Sequence, residues 1–167
     1  MNRTYAVPKK GIRASIILSG QQVRAVELFL GDRARNHEGS ERASDLLSSD
    51  AEFIPVRQID SSKVFLLRRD SIMVVTIAAE DEPDIGQSEL RLLDSETCTR
   101  IQIEVVLTDG STIQGTISYM MPEARRRVQD FLNLPERIIR VRDDERIHIV
   151  SKRHIAEVQI LSSAPGS

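Results

Sequence analysis

Ile101 to Ile117 reads IQIEVVLTDGSTIQGTI, and this stretch decides how the rest of the chain is read. Ile101, Ile103, Val105 and Leu107 alternate with Gln102, Glu104 and Thr108, the period-two pattern of a strand with one face in a core. Asp109-Gly110 follows at once and predicts a tight hairpin of type I′, in which both central residues take positive φ. Alternation resumes through Ile113, Gly115, Ile117 and Tyr119.

Working outward, the same pattern recurs near the N-terminus. Ile12 to Leu18, IRASIIL, matches Ile101 to Leu107, and Ser19-Gly20 stands where Thr108-Asp109-Gly110 stands later. Val23, Ala25 and Phe29 then fall opposite Ile113, Gly115 and Tyr119, although Glu27 opposite Ile117 breaks the pattern. Further on, Asp45-Leu46-Leu47 lies over Asp130-Phe131-Leu132, and Phe53-Ile54-Pro55-Val56 over Ile138-Ile139-Arg140-Val141. The stretch Val64 to Ile72, VFLLRRDSI, matches Ile147 to Ile155, IHIVSKRHI, without a gap, and MVVTI (73–77) matches AEVQI (156–160).

Two units follow, 12–79 and 100–161, joined by an acidic linker over 80–99. Units of about 60 residues are near the lower limit for a lone hydrophobic core, so packing between units or with other chains is expected. In the linker, Leu90, Leu92 and Leu93 could pin its second half onto a barrel. One helix is expected in each unit after the second strand. Pro122 suits a first turn, and Ala124, Val128, Phe131 and Leu132 make one apolar stripe, which predicts a helix over 123–133 ended by Pro135. Ala43, Leu46 and Leu47 give its counterpart within 40–48. Arg137 to Arg142, Arg146 to Ser151 and Ile155 to Leu161 read as three further strands, for five per unit. Asp143-Asp144-Glu145 reads as a polar turn.

Composition bounds the function. Lys+Arg number 23 against 25 Asp+Glu, so the net charge of −2 gives no global attraction to nucleic acid or to an anionic membrane. The single cysteine, Cys98, excludes an intrachain disulfide framework and a cysteine-based zinc site. No apolar run approaches the ~20 residues of a membrane-spanning helix, and MNRTYAVPKKG lacks the apolar core of a signal peptide. The expectation is a soluble cytoplasmic protein.

The residues Ile103, Val105, Leu107, Asp109, Gly110, Ile113, Gly115 and Ile117, with the later run Ile147 to Ile155, resemble the two motifs of the Sm-like family. The resemblance implies a mainly β fold of two tandem small five-stranded Sm-like barrels, each with a short helix after its second strand. Two departures stand out. The family's RNA-binding loop is replaced by MMPEARRRVQDFLNLPE (120–136), and Lys152-Arg153 and Arg68-Arg69 stand where its Arg-Gly turn would be. The resemblance also implies assembly by pairing the fourth strand of one barrel with the fifth strand of the next. Met73 to Ile77 and Ile155 to Leu161 suit this, being apolar, without Pro and with Glu157 as the one charge. The two units are therefore expected to pair within the chain as a pseudo-dimer, the outer edges joining copies into a ring or being capped.

Catalytic signatures are missing: there is no phosphate-binding Gly-rich loop, no G-x-S-x-G and no H-E-x-x-H. His37, His148 and His154 offer no ligand spacing for a metal. No cofactor is implied, and the protein is expected to be non-enzymatic. Arg68, Arg69, Lys152 and Arg153 are the candidate binding residues, because they occupy the same turn in both units and suit phosphate oxygens. A solvated turn whose charges discourage aggregation accounts for the same residues. Arg125 to Arg127 could extend such a patch, while no exposed aromatic platform for stacking bases is evident. The leading expectation is an assembly or protein-interaction module. Its alternatives are an RNA-binding protein using the basic turns and, more weakly, a cyclic-dinucleotide sensor.

Overall fold

Strand registers in the computed structural model, which describes residues 9–20, 23–35, 39–82 and 98–163, repeat the same pattern twice. The first half contains β1 (Lys9–Leu18), β2 (Val23–Gly31), α1 (Ala43–Ser48), β3 (Phe53–Gln58), β4 (Val64–Arg68) and β5 (Ile72–Ala78). The second contains β6 (Cys98–Leu107), β7 (Thr112–Met120), α2 (Val128–Leu132), β8 (Ile138–Arg142), β9 (Arg146–Ser151) and β10 (Ile155–Ser163). All strands form one antiparallel sheet in the order β10-β6-β7-β8-β9-β5-β1-β2-β3-β4. Each half thus runs fifth strand, first, second, third, fourth. Among the described residues the sheet does not close, and β4 and β10 lie at its two ends.

The repeat extends to hydrogen bonds. Short 3-10 turns at Arg69–Ser71 and Lys152–His154 link the fourth strand to the fifth in each half. The Arg69 amide donates to Glu52 O (2.8 Å) and the Lys152 amide to Arg137 O (2.9 Å), so the two turns are held alike. The amides of Ser19 and Thr108 likewise donate to Ser71 O and His154 O.

Three expectations need correction. The alignment of the second strands is out by one residue. Val23 pairs with Ile17 and Thr112 with Val106, which makes Val26, Leu28 and Leu30 the counterparts of Gly115, Ile117 and Tyr119. Glu27 therefore corresponds to Thr116, and the apparent mismatch with Ile117 disappears. A one-residue slip exchanges the two faces of a strand, which is why the mismatch arose at a charged residue. Second, the Asp109-Gly110 hairpin is not type I′. Only Gly110 has positive φ, at 85°, and the Gly110 amide donates to Leu107 O, so the connection is a three-residue loop ending on a left-handed glycine. Third, the helix expected over 123–133 is a 3-10 turn, Glu123–Arg125, followed by the separate α2. Tyr119 explains the break: its hydroxyl donates to Arg126 O at 2.8 Å and its ring stacks on Phe131 at 4.5 Å. The contacts anchor the segment on both sides of Arg127, whose backbone is extended and so separates the two turns. The expectations for His37, Leu90, Leu92 and Leu93 fall outside the described residues.

The edge-to-edge junction within the chain is the ladder between β5 and β9, with Val74↔Val150, Val75↔Ile149, Thr76↔His148 and Ile77↔Ile147. It makes the two cores interdependent. Ile147 and Ile149 of β9 reach into the core of the first half, beside Ile16, Leu28 and Ile77, while Met73 and Val74 of β5 reach into that of the second, beside Ile103 and Ile117. Each half borrows side chains that a unit of this size needs, since burying an aliphatic side chain is worth ~1.5–3 kcal/mol. Glu82, at the end of the first half, is buried and accepts from the Ser44 amide at the start of α1. Burial pushes its carboxyl above the ordinary carboxylate range.

Candidate functional site

The junction carries a cleft of about 490 Å³, open on one side. Its wall from the first half is formed by Leu47 of α1, Ile72 and Met73 of β5, and the turn residues Arg69 and Asp70. The facing wall comes from Arg137, Ile138, Ile149, Ser151, Lys152 and Arg153. The β5·β9 ladder is what brings these two sets together, because it seats the turn before β5 against the turn after β9.

Three of the four sequence-predicted residues, Arg69, Lys152 and Arg153, line this cleft, and Arg68 does not. Arg68 is on the outer edge strand, where it pairs with Glu52 at 3.1 Å. Arg69 is the most enclosed of the arginines, with 15% of its side chain exposed; it donates to Ser49 O and contacts Asp70. The Lys152 ammonium donates to Leu134 O at 2.8 Å, and desolvation pushes it below the ordinary lysine range. Arg153 spans the junction to Asp70 at 2.6 Å, and its side chain stays 57% exposed. Its hydrogen bond holds the Asp70 carboxyl below the usual carboxylate range. His154 adds a second tie across the junction, its Nε2 lying 2.6 Å from Asp70 O.

Sequence reasoning missed Arg137. It lies just before β8, donates to Ser49 O at 3.1 Å and reaches Asp50 at 3.5 Å. Its counterpart in the first half is Glu52, so a search for charges shared by both repeats passes over it. The arginines at 125–127 do not line the cleft. His148 is a structural histidine, with Nδ1 2.9 Å from Thr76 Oγ1 and Nε2 3.0 Å from Asp143 Oδ2. Asp143 also accepts from the Glu145 and Arg146 amides, so the polar turn expected at 143–145 is built around its carboxylate. Among the described residues no group of three His, Cys, Asp or Glu side chains is placed to hold a metal ion.

A second region of interest is the pair of outer edges. On β4, Val64, Phe65 and Leu66 are exposed, and Phe53 of β3 beside them; on β10, Ile160 and Leu161 are exposed. Phe65 lies on β4, which has no further strand beside it among the described residues, and Phe53 on the neighbouring β3, so two of the phenylalanines placed in apolar patterns are exposed. No described helix is long and apolar enough to cross a membrane.

Comparison with protein-family models, with curated proteins and with solved structures returns no match for this chain.

Proposed function

We propose that the protein is a non-enzymatic assembly module of two Sm-like barrel units, which joins copies of itself head to tail through β4 and β10. One observation carries the reading. The junction inside the chain uses the fifth strand of the first half and the fourth strand of the second, so the strands left at the ends are a fourth, β4, and a fifth, β10. Such a pair is complementary rather than self-complementary, so the contact is heterologous and gives a closed ring or an open filament according to its rotation.

The internal ladder supplies the register. Val75↔Ile149 translates to Val158 opposite Leu66 of the next copy, and Ile77↔Ile147 to Ile160 opposite Val64. Covering Val64, Leu66 and Ile160, which are exposed in the single chain, would follow from that register.

Light scattering at micromolar concentration should give a mass of several chains. With Cys98 replaced by Ser, the pair Leu66→Cys and Val158→Cys in one chain should form disulfide-linked multimers on mild oxidation, because directly opposed residues of an antiparallel ladder lie within disulfide range. A single-chain mass at every concentration, with no linked multimers, overturns the proposal.

A further inference from the structure

We infer that the junction cleft binds a small phosphate ester, with the phosphate between Arg137 and Arg153 and the organic part against Ile72, Met73 and Ile138. The site lies within one chain, so it stands or falls separately from the joining of copies.

Convergence is the first argument. Arg69, Arg137, Lys152 and Arg153 come from three separate segments, yet face one space whose lining, among the described residues, includes one carboxylate, Asp70. Surface turns gain solubility from charge without gathering it, whereas gathered like charges repel and need a counter-charge. Lys152 is in addition partly desolvated by its surroundings, which pushes it toward its neutral form.

The donors divide into two kinds. Arg69 and Lys152 are tied to main-chain carbonyls, Ser49 O and Leu134 O, which fixes the walls. Arg137 also donates to Ser49 O, yet it and Arg153 are about half exposed, and each has an exposed carboxylate, Asp50 or Asp70, as its ionic partner. Exposed pairs of this kind are weak, so an incoming dianion can replace them. Guanidinium forks suit the oxygens of a phosphate, which accept two parallel N–H bonds.

Size and lining set the rest of the ligand. A volume of about 490 Å³ falls in the range of small-molecule sites and far exceeds a bare phosphate ion. Ile72, Met73 and Ile138 offer an apolar surface for the body of the ester. A nucleic-acid strand is the poorer fit: Arg68, the remaining turn cation, is paired with Glu52 outside the cleft, so the charge does not continue as a track.

The test uses the full chain with adenosine monophosphate, glucose 6-phosphate and inorganic phosphate as probes, in calorimetric titration and thermal unfolding at fixed ionic strength. At least one ester should bind and raise the unfolding midpoint, because the ligand touches both halves. Inorganic phosphate should bind more weakly than that ester, and the dephosphorylated compound should not bind. Arg137→Gln and Arg153→Gln should each weaken binding about tenfold, the loss of one charge-assisted contact. Asp70→Asn should tighten it several-fold by removing the competing carboxylate. No phosphate-dependent binding by any probe at concentrations on the order of 10 mM overturns the inference. So does binding that Arg137→Gln and Arg153→Gln leave unchanged. Affinity for mixed-sequence RNA oligomers that rises steadily with length, far beyond any ester, would assign the cleft to nucleic acid instead.

Discussion

Strands β5 and β10 hold the same place in their halves and have opposite fates. Ile72, Met73, Val74, Val75 and Ile77 of β5 are all buried, because β1 pairs on one side, β9 on the other, and a core lies on each face. On β10 only β6 pairs among the described residues, and Ile160, the counterpart of Ile77, is 56% exposed against 2%. The fourth strands repeat the contrast: Ile149 of β9 is 1% exposed, and its counterpart Leu66 of β4 is 68%. Position within a repeat therefore does not decide burial; the neighbour does. The sequence follows suit, since β5 is apolar on both faces apart from Thr76, as expected of a strand covered on both faces, and β10 carries Glu157 and Gln159.

The largest effect expected from this contrast is on the ladders. Val75→Pro removes an amide from a strand paired on both sides and places a ring in a buried site, which should cost ~3 kcal/mol or more and leave little folded protein. Val158→Pro, at the matching place on β10, should cost the single chain less, since that strand pairs on one side among the described residues. Urea unfolding of both variants measures the difference. Equal losses would mean that β10 is as enclosed as β5, and the contrast between inner and outer strands would fail.

Side chains give the next effect. Ile149→Lys places a charge among Ile16, Ile54 and Ile77 and should destabilise by about 3–5 kcal/mol. Leu66→Lys, at the matching place on β4, should change single-chain stability by less than about 0.5 kcal/mol, and should reduce the mass seen by light scattering. A Leu66→Lys protein that assembles normally would detach the outer edge from assembly while leaving the internal junction untouched.

How much of this could be read in advance varies with the range of the interaction. Strand positions came from local alternation, and most boundaries moved by a few residues at most: 146–151 stands unchanged, and Ile101–Leu107 grew to Cys98–Leu107. The pairing of a fifth strand with a fourth was an implication of the family resemblance, to which the residues added that the fifth strands, Met73 to Ile77 and Ile155 to Leu161, are apolar and without Pro. The one-residue error at Val23 arose in a loop, where matching letters do not fix length, and it was resolved by the ladder pairs. Gly115 was read as an alternating position, but a Cβ there would lie 2.5 Å from Arg142 O, a close approach of β8 that local alternation does not reveal. The cleft was half legible. Repetition pointed to Arg69, Lys152 and Arg153, but nothing local in the sequence places Arg137, nearly 70 residues from Arg69, on the facing wall. Only the junction does that.

The smallest effect concerns the tie that crosses the junction at Asp70. Its carboxyl is held below the ordinary value first of all by the Arg153 hydrogen bond, so the ionised form is favoured in the folded chain. A carboxylate with a lowered folded pKa contributes stability above its unfolded value, near 3.8, and loses it as pH falls through the folded value. Asp70→Asn should therefore be slightly less stable than the parent at pH 7, with the deficit shrinking as the medium becomes acidic and vanishing once the parent's Asp70 is protonated. Because the pair is exposed, the deficit should also shrink in high salt. Thermal midpoints of the two proteins across pH 2.5 to 7 make the comparison. A deficit that persists unchanged into acid would assign the effect of the substitution to the turn backbone, where Asp70 O meets His154, rather than to the charge that joins the two halves.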